Sequence, residues 1–145
     1  MHKLSNEEFI STYSKVPRLC VEVVIIDKQK GLFLTKRNIE PSKGLWHSPG
    51  GTVYYDETLR EAVVRIAKKE LGVDVEVVKE LGVMEIRFDN HFYHDVTIAY
   101  EVTVVCGSVA LNDEAKEEGY FIVMPEDMIP EQKEFYKKTL NLGQK

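Results

Sequence analysis

Cysteine is scarce in this 145-residue chain: Cys20 and Cys106 are the whole supply, far apart in apolar, strand-like segments. They make no metal motif and no disulfide framework, so two reduced core thiols are expected and the fold must rest on its packing. Long apolar runs are missing as well; none approaches the roughly 20 residues that span a bilayer. Met1 to Glu8 is polar and acidic and lacks the apolar centre of a signal peptide, so a cytoplasmic location is expected. Positive charge is in deficit. Nineteen Lys and Arg against 24 Asp and Glu leave a formal net charge of −5, which argues against nucleic acid or an anionic membrane as a partner. Repeats, low-complexity tracts and long linkers are absent too, so residues 1–145 read as one domain with a single core.

What is present is an alternation of helical and extended patterns. Ser5-Asn6-Glu7-Glu8 reads as a capped helix start, and that helix must end before Pro17. Leu19–Asp27 is rich in Val and Ile and predicts a strand, followed by a turn at Lys28–Gly31 and a second, pairing strand over Gly31–Arg37. Asn38–Gly51, with its Pro and Gly, predicts a long loop. Asp56 is the expected cap of a helix from about Glu57 to Leu71, whose apolar stripe is Leu59, Ala62, Val63, Ile66, Ala67 and Leu71, with Gly72 closing it. Val73–Ile86 and Tyr93–Cys106 predict extended segments joined by a polar connection at Asp89-Asn90. Tyr120–Val123 predicts a short strand. Met124–Leu142 predicts one or two terminal helices interrupted at Pro130. The order implies a mixed α/β layer architecture.

Chemistry concentrates in Trp46-His47-Ser48-Pro49-Gly50-Gly51, followed by Glu57, Arg65, Glu70 and Gly72. Paired glycines let a backbone approach a ligand closely. A carboxylate near a helix end and a backbone carbonyl are the hard oxygen donors that Mg²⁺ prefers.

Gly51, Glu57, Arg65, Glu70, Gly72 and Val73 fall at the spacing of the Nudix box, G-x5-E-x7-R-E-U-x-E-E-x-G-U, and the chain resembles that family over most of its length. The resemblance implies a Nudix-type α/β/α sandwich with a mixed β-sheet. Two box glutamates are replaced, by Ile66 and Lys69, so one carboxylate of the usual cluster remains, at Glu70. Glu61, nine residues from Glu70, points to the opposite side of the helix. One metal ion is therefore expected rather than several. This thinned box, with Lys36-Arg37, the Pro41–Gly51 segment and Asp56–Leu59, is similar to the GDP-mannose mannosyl hydrolase branch. That branch cleaves a nucleotide sugar at the anomeric carbon, where other members attack phosphorus.

The branch resemblance implies Glu70 and Gly50 as ligands of Mg²⁺ (or Mn²⁺), and Arg37 and Arg65 against the diphosphate. It implies Glu22 as an acidic group near the substrate, with Lys36, Trp46 and Gly51 at the substrate and a homodimer as the assembly. Plainer roles stand beside these. Arg65 has Glu61 at i−4 as an ion-pair partner, Glu22 alternates with Val21 and Val23 and has a solvent-facing option, and Trp46 has a core option. Glu57 reads as structural in a first helical turn. The branch has Arg where this chain has Thr52, and its Gln-His pair is replaced by Glu114–Glu118. The general base is therefore unassigned and is expected in the loop at 114–118, with Glu117 and Glu118 as candidates there and His47, His91 and His94 as candidates elsewhere. The expected function is Mg²⁺-dependent hydrolysis of a nucleoside diphosphate derivative, a nucleotide sugar such as GDP-mannose first. Attack at phosphorus of a triphosphate or other diphosphate, and a non-catalytic nucleotide-binding module, are the alternatives.

Overall fold

Strand β1 (Arg18–Asp27) organises the molecule because it changes partners along its length. On one side it runs parallel to β6 (His94–Cys106) from Arg18 to Ile25. On the other, Cys20, Val21 and Glu22 pair antiparallel with β4 (Gly50–Thr52), whereas Ile26 and Asp27 pair with β2 (Gly31–Arg37). Between these stretches the Val23 amide is satisfied by the Pro49 carbonyl at 2.8 Å. The incoming loop thus enters the sheet where β1 is released, and that opening is where the site lies. The computed structural model describes residues 2–88 and 91–142; the expected Asp89-Asn90 connection falls outside them.

The sheet continues from β6 to β5 (Asp74–Arg87), antiparallel, and from β2 to β3 (Trp46–His47) and β7 (Ala115–Phe121). Strand periodicity sends alternate residues to opposite faces. Val21, Val23, Ile25 and Phe33 pack with Ala62, Val63, Ile66, Ala67 and Leu71 of α2 (Leu59–Leu71). Val24, Leu32 and Leu34 pack on the other face with Trp46, Met128, Ile129 and Tyr136, the last from α3 (Pro130–Thr139). The sheet is therefore sandwiched between helices, an α/β/α arrangement with a mixed sheet, and the expected single core is two apolar layers. Helix α1 (Asn6–Tyr13) buries no residue fully and is capped by Ser5 through a capping box with Glu8.

Several boundaries differ from expectation for local reasons. Helix α2 is capped by Thr58, which exchanges hydrogen bonds with Glu61, and not by Asp56, which lies in a left-handed turn at φ 63°. The Thr-x-x-Glu box is a stronger start signal than a lone Asp. Gly72 closes the helix at φ 70°, as its position predicts. The long loop contains β3 and β4, and β7 begins at Ala115, taking in most of the expected loop, because β2 offers it a full edge from Leu32 to Arg37. Pro130 starts α3, where its missing amide costs nothing, and does not interrupt a longer helix. Cys20 is buried as expected, but Cys106 is exposed at the end of β6.

Candidate active site

Where β1 parts from β2, a cleft of about 440 Å³ opens, a size ordinary for a small-molecule site. Its wall is laid down by β4. A Cβ on Gly50 would stand 2.7 Å from the Val21 carbonyl oxygen and 3.0 Å from Glu22 Cγ, so only glycine lets β4 lie against β1 there. Glu22, Arg37, Gly50, Gly51, Arg65, Lys69, Glu70 and Glu114 all line this cleft. Six positions expected at the site, Glu22, Arg37, Gly50, Gly51, Arg65 and Glu70, are thus brought together.

Lys36 and Trp46, expected at the substrate, are not among the residues that line the cleft. Alternation along β2 turns Lys36 away from Arg37; its ammonium sits 3.4 Å from Asp127 and over the Trp46 ring. Trp46 is buried in the α3-side core, edge-on to Phe121 at 4.8 Å between centroids. Among the candidate bases, His47 lies in β3 outside the cleft, and burial followed by the Arg37 charge pushes its pKa down to about 3. His94 approaches Glu85 at 3.4 Å, and Glu117 and Glu118 are strand residues of β7 opposite Lys36 and Thr35. The acid of the 114–118 segment that lines the cleft is Glu114, just before β7, and not Glu117 or Glu118.

Two arginines are held differently. Arg37 Nε donates to the Pro41 carbonyl at 2.6 Å, and among the described residues its terminal nitrogens have no partner. The half-buried guanidinium thus presents a free two-pronged edge to the cleft. Its pKa is lowered by burial, against the pull of Glu70 and Glu114. Arg65 is engaged through two of its three nitrogens: Nε and a terminal nitrogen reach both oxygens of Glu57 at 2.7 and 3.0 Å, and the same terminal nitrogen donates to the Thr52 carbonyl at 2.7 Å. Its guanidinium also lies 3.7 Å from the Tyr54 ring centroid. Arg65 therefore ties α2 to the strand and turn that follow Gly50, and its partner is Glu57, not Glu61.

The carboxylates define the electrostatics. Burial, then the neighbouring Glu114, push the Glu70 pKa up to about 8; Lys69, Arg37 and the Gly50 backbone act in the other direction. A crowded acid pair of this kind is stabilised by a cation. Among the described residues no three acidic, His or Cys side chains form a metal cluster; Glu70 and Glu114 offer carboxylate oxygens, the hard donors that a divalent cation of the magnesium kind takes. Glu22 does not face solvent: it is 3% exposed. Burial drives its pKa up to about 8, against hydrogen bonds from Tyr136 and Gln132. At the cleft's outer end Arg18 makes a two-point pair with Asp95, at 2.8 and 2.6 Å, and lies over the Tyr93 and Phe9 rings.

The sequence profile of the NUDIX domain matches residues 16–142, and the chain belongs to that family of hydrolases. It is 36% identical over 113 residues to the low-salt glycan biosynthesis protein Agl8 of Haloferax volcanii, covering 70% of this chain and 69% of that protein. It is 37% identical over 97 residues to an ADP-ribose pyrophosphatase of Methanocaldococcus jannaschii, covering 67% of this chain and 57% of the relative's length. Among solved structures, the MutT NUDIX hydrolase of Burkholderia pseudomallei superposes with a TM-score of 0.77 at 24% identity, over 86% of this chain and 99% of that one. No helix among the described residues is long and apolar enough to cross a membrane.

Proposed function

We propose that this enzyme hydrolyses a nucleoside diphosphate joined to a sugar, with Mg²⁺, breaking the bond at the anomeric carbon. The observation that carries this reading is Glu22, a buried carboxylate with no cationic partner among the described residues, on the wall of the same cleft as Arg37 and Glu70. A diphosphate gains nothing from a second anion. Positive charge developing at a sugar carbon, and the hydroxyls beside it, do gain from one, and the raised Glu22 pKa of about 8 makes that anion the form present at mildly alkaline pH.

Arg37 takes the diphosphate with its free edge and stabilises the charge that grows on it as it leaves. Glu70, with Glu114 and a Gly50 carbonyl, would hold the metal, which supplies further charge neutralisation at the phosphate oxygens. Arg65 acts through Thr52 and Glu57, keeping β4 and α2 in register around the site. Glu114, on the lining of the cleft, accepts the proton of the attacking water. The C–O bond then breaks with its electrons on the diphosphate oxygen, and the water oxygen joins the carbon.

A second reading is attack at phosphorus, favoured by the likeness to a relative named as an ADP-ribose pyrophosphatase. Turnover of GDP-mannose, ADP-ribose and a nucleoside triphosphate in ¹⁸O-water with Mg²⁺ separates the two. Label in the released sugar supports the proposal; label in a phosphate rejects it. Glu70→Gln serves as the inactive control.

A further inference from the structure

Helix α3 carries no residue expected at the site, yet it closes the wall behind Glu22. Gln132 Nε2 donates to Glu22 Oε1 and Tyr136 OH donates to Glu22 Oε2, both at 2.5 Å, from positions 110 and 114 residues away in the chain. Ser48 sets the direction of both contacts. Its amide donates to Gln132 Oε1 at 2.9 Å, which turns Nε2 towards Glu22. Its hydroxyl donates to the Tyr136 oxygen at 2.9 Å, which leaves the tyrosine proton for Glu22. All four side chains are buried, and no buried side-chain polar atom among the described residues lacks a partner.

We propose that Gln132 and Tyr136 are positioning residues that fix Glu22 in the cleft, which makes α3 part of the catalytic apparatus; this rests on the role of Glu22 in the reaction proposed above. Each oxygen of Glu22 receives a hydrogen and neither is offered an acceptor, an arrangement that matches a carboxylate and not an amide. Ser48 precedes Pro49 and Gly50, so the same network ties the glycine turn to α3. A simple strap between β1 and α3 would hold as well through neutral groups alone and would not need an acid at position 22.

The test is steady-state kinetics on GDP-mannose and ADP-ribose with Mg²⁺, for Tyr136→Phe, Gln132→Met, Glu22→Gln and the two double variants, with thermal unfolding alongside. Tyr136→Phe and Gln132→Met are each expected to lower kcat roughly ten- to hundredfold while KM stays within about twofold, since a small misplacement of a reacting group has effects of this order. Neither is expected to lower kcat further once Glu22 is Gln, because both act through it. Losses that multiply in the double variants, or single variants with full kcat, overturn the inference and leave the reading of the site intact. Full activity in Glu22→Gln, or a wild type that turns over neither compound, fails that reading and the inference with it. Should a core variant unfold, Ser48→Ala removes only the hydroxyl that orients Tyr136, and its few-fold loss must likewise vanish in Glu22→Gln.

Discussion

Arg65 meets both oxygens of Glu57, eight residues before it, at 2.7 and 3.0 Å, across the turn that precedes its own helix. The Glu57 side chain is 1% exposed, that of Arg65 21%. Removing the acid leaves a half-buried guanidinium short of two charged hydrogen bonds. Glu57→Ala is expected to destabilise the fold by about 2 kcal/mol, read as a lower urea midpoint with an unchanged slope.

The same pair sets an acid limit. Burial opposes ionisation of Glu57, but the Arg65 hydrogen bonds prevail and hold its pKa below the ordinary glutamate value. A depressed folded pKa means that the unfolded chain takes up the proton first. The stabilisation is therefore complete above the ordinary glutamate range and is lost as pH falls through the lowered value. The stability gap between wild type and Glu57→Gln should be widest near neutrality and should close as the pH drops below the ordinary glutamate range. A gap that stays constant down to the acid transition would contradict this.

Arg37 is expected to be intolerant of lysine. Its Nε is committed to Pro41 while the terminal nitrogens remain for substrate, and an ammonium cannot divide its donors in that fixed geometry. Arg37→Lys and Arg37→Ala should both lower kcat/KM by on the order of a hundredfold, with little change in melting temperature.

Glu114→Gln separates metal from scaffold. Glu114 adds negative charge beside Glu70 without a hydrogen bond to it. Its neutralisation should raise the Mg²⁺ concentration needed for half-maximal rate several-fold and, since Glu114 is also the proposed base, lower the rate at saturating metal by about a hundredfold. An unchanged Mg²⁺ dependence would remove Glu114 from the metal site.

Gly50→Ala tests the wall itself. The added methyl would meet the Val21 carbonyl at 2.7 Å, a backbone atom that cannot step aside. Destabilisation of about 1–3 kcal/mol is expected, together with loss of turnover as β4 is pushed from β1.

Local signals were legible from the residues alone. Ser5 and Gly72 end their helices as their chemistry predicts, the α2 stripe faces the sheet, and the glycine pair, Arg37 and Glu70 reach one cleft. What sequence patterns could not show depends on distant partners. Glu22 lies between two valines on a strand, and only the fold supplies Gln132 and Tyr136 to it. Lys36 adjoins Arg37 in sequence but takes the opposite face of β2, a consequence of strand alternation that reading the two as a pair overlooked. Acidic β7 looked like a loop because its side chains are mostly exposed, while its backbone is recruited by β2.

The change of partner along β1 has a consequence for how the sequence can diverge. Cys20–Glu22 are pinned by β4 and Ile26–Asp27 by β2, so neither half can slide without the other. A one-residue slip would swap the faces: Glu22 would enter the aliphatic layer beneath α2, and valines would replace it at the cleft. Insertions in the exposed turn at 28–30 leave that frame alone, whereas a single deletion within 23–25 puts the two pinned halves one residue out of step and forces one of them to turn its faces over.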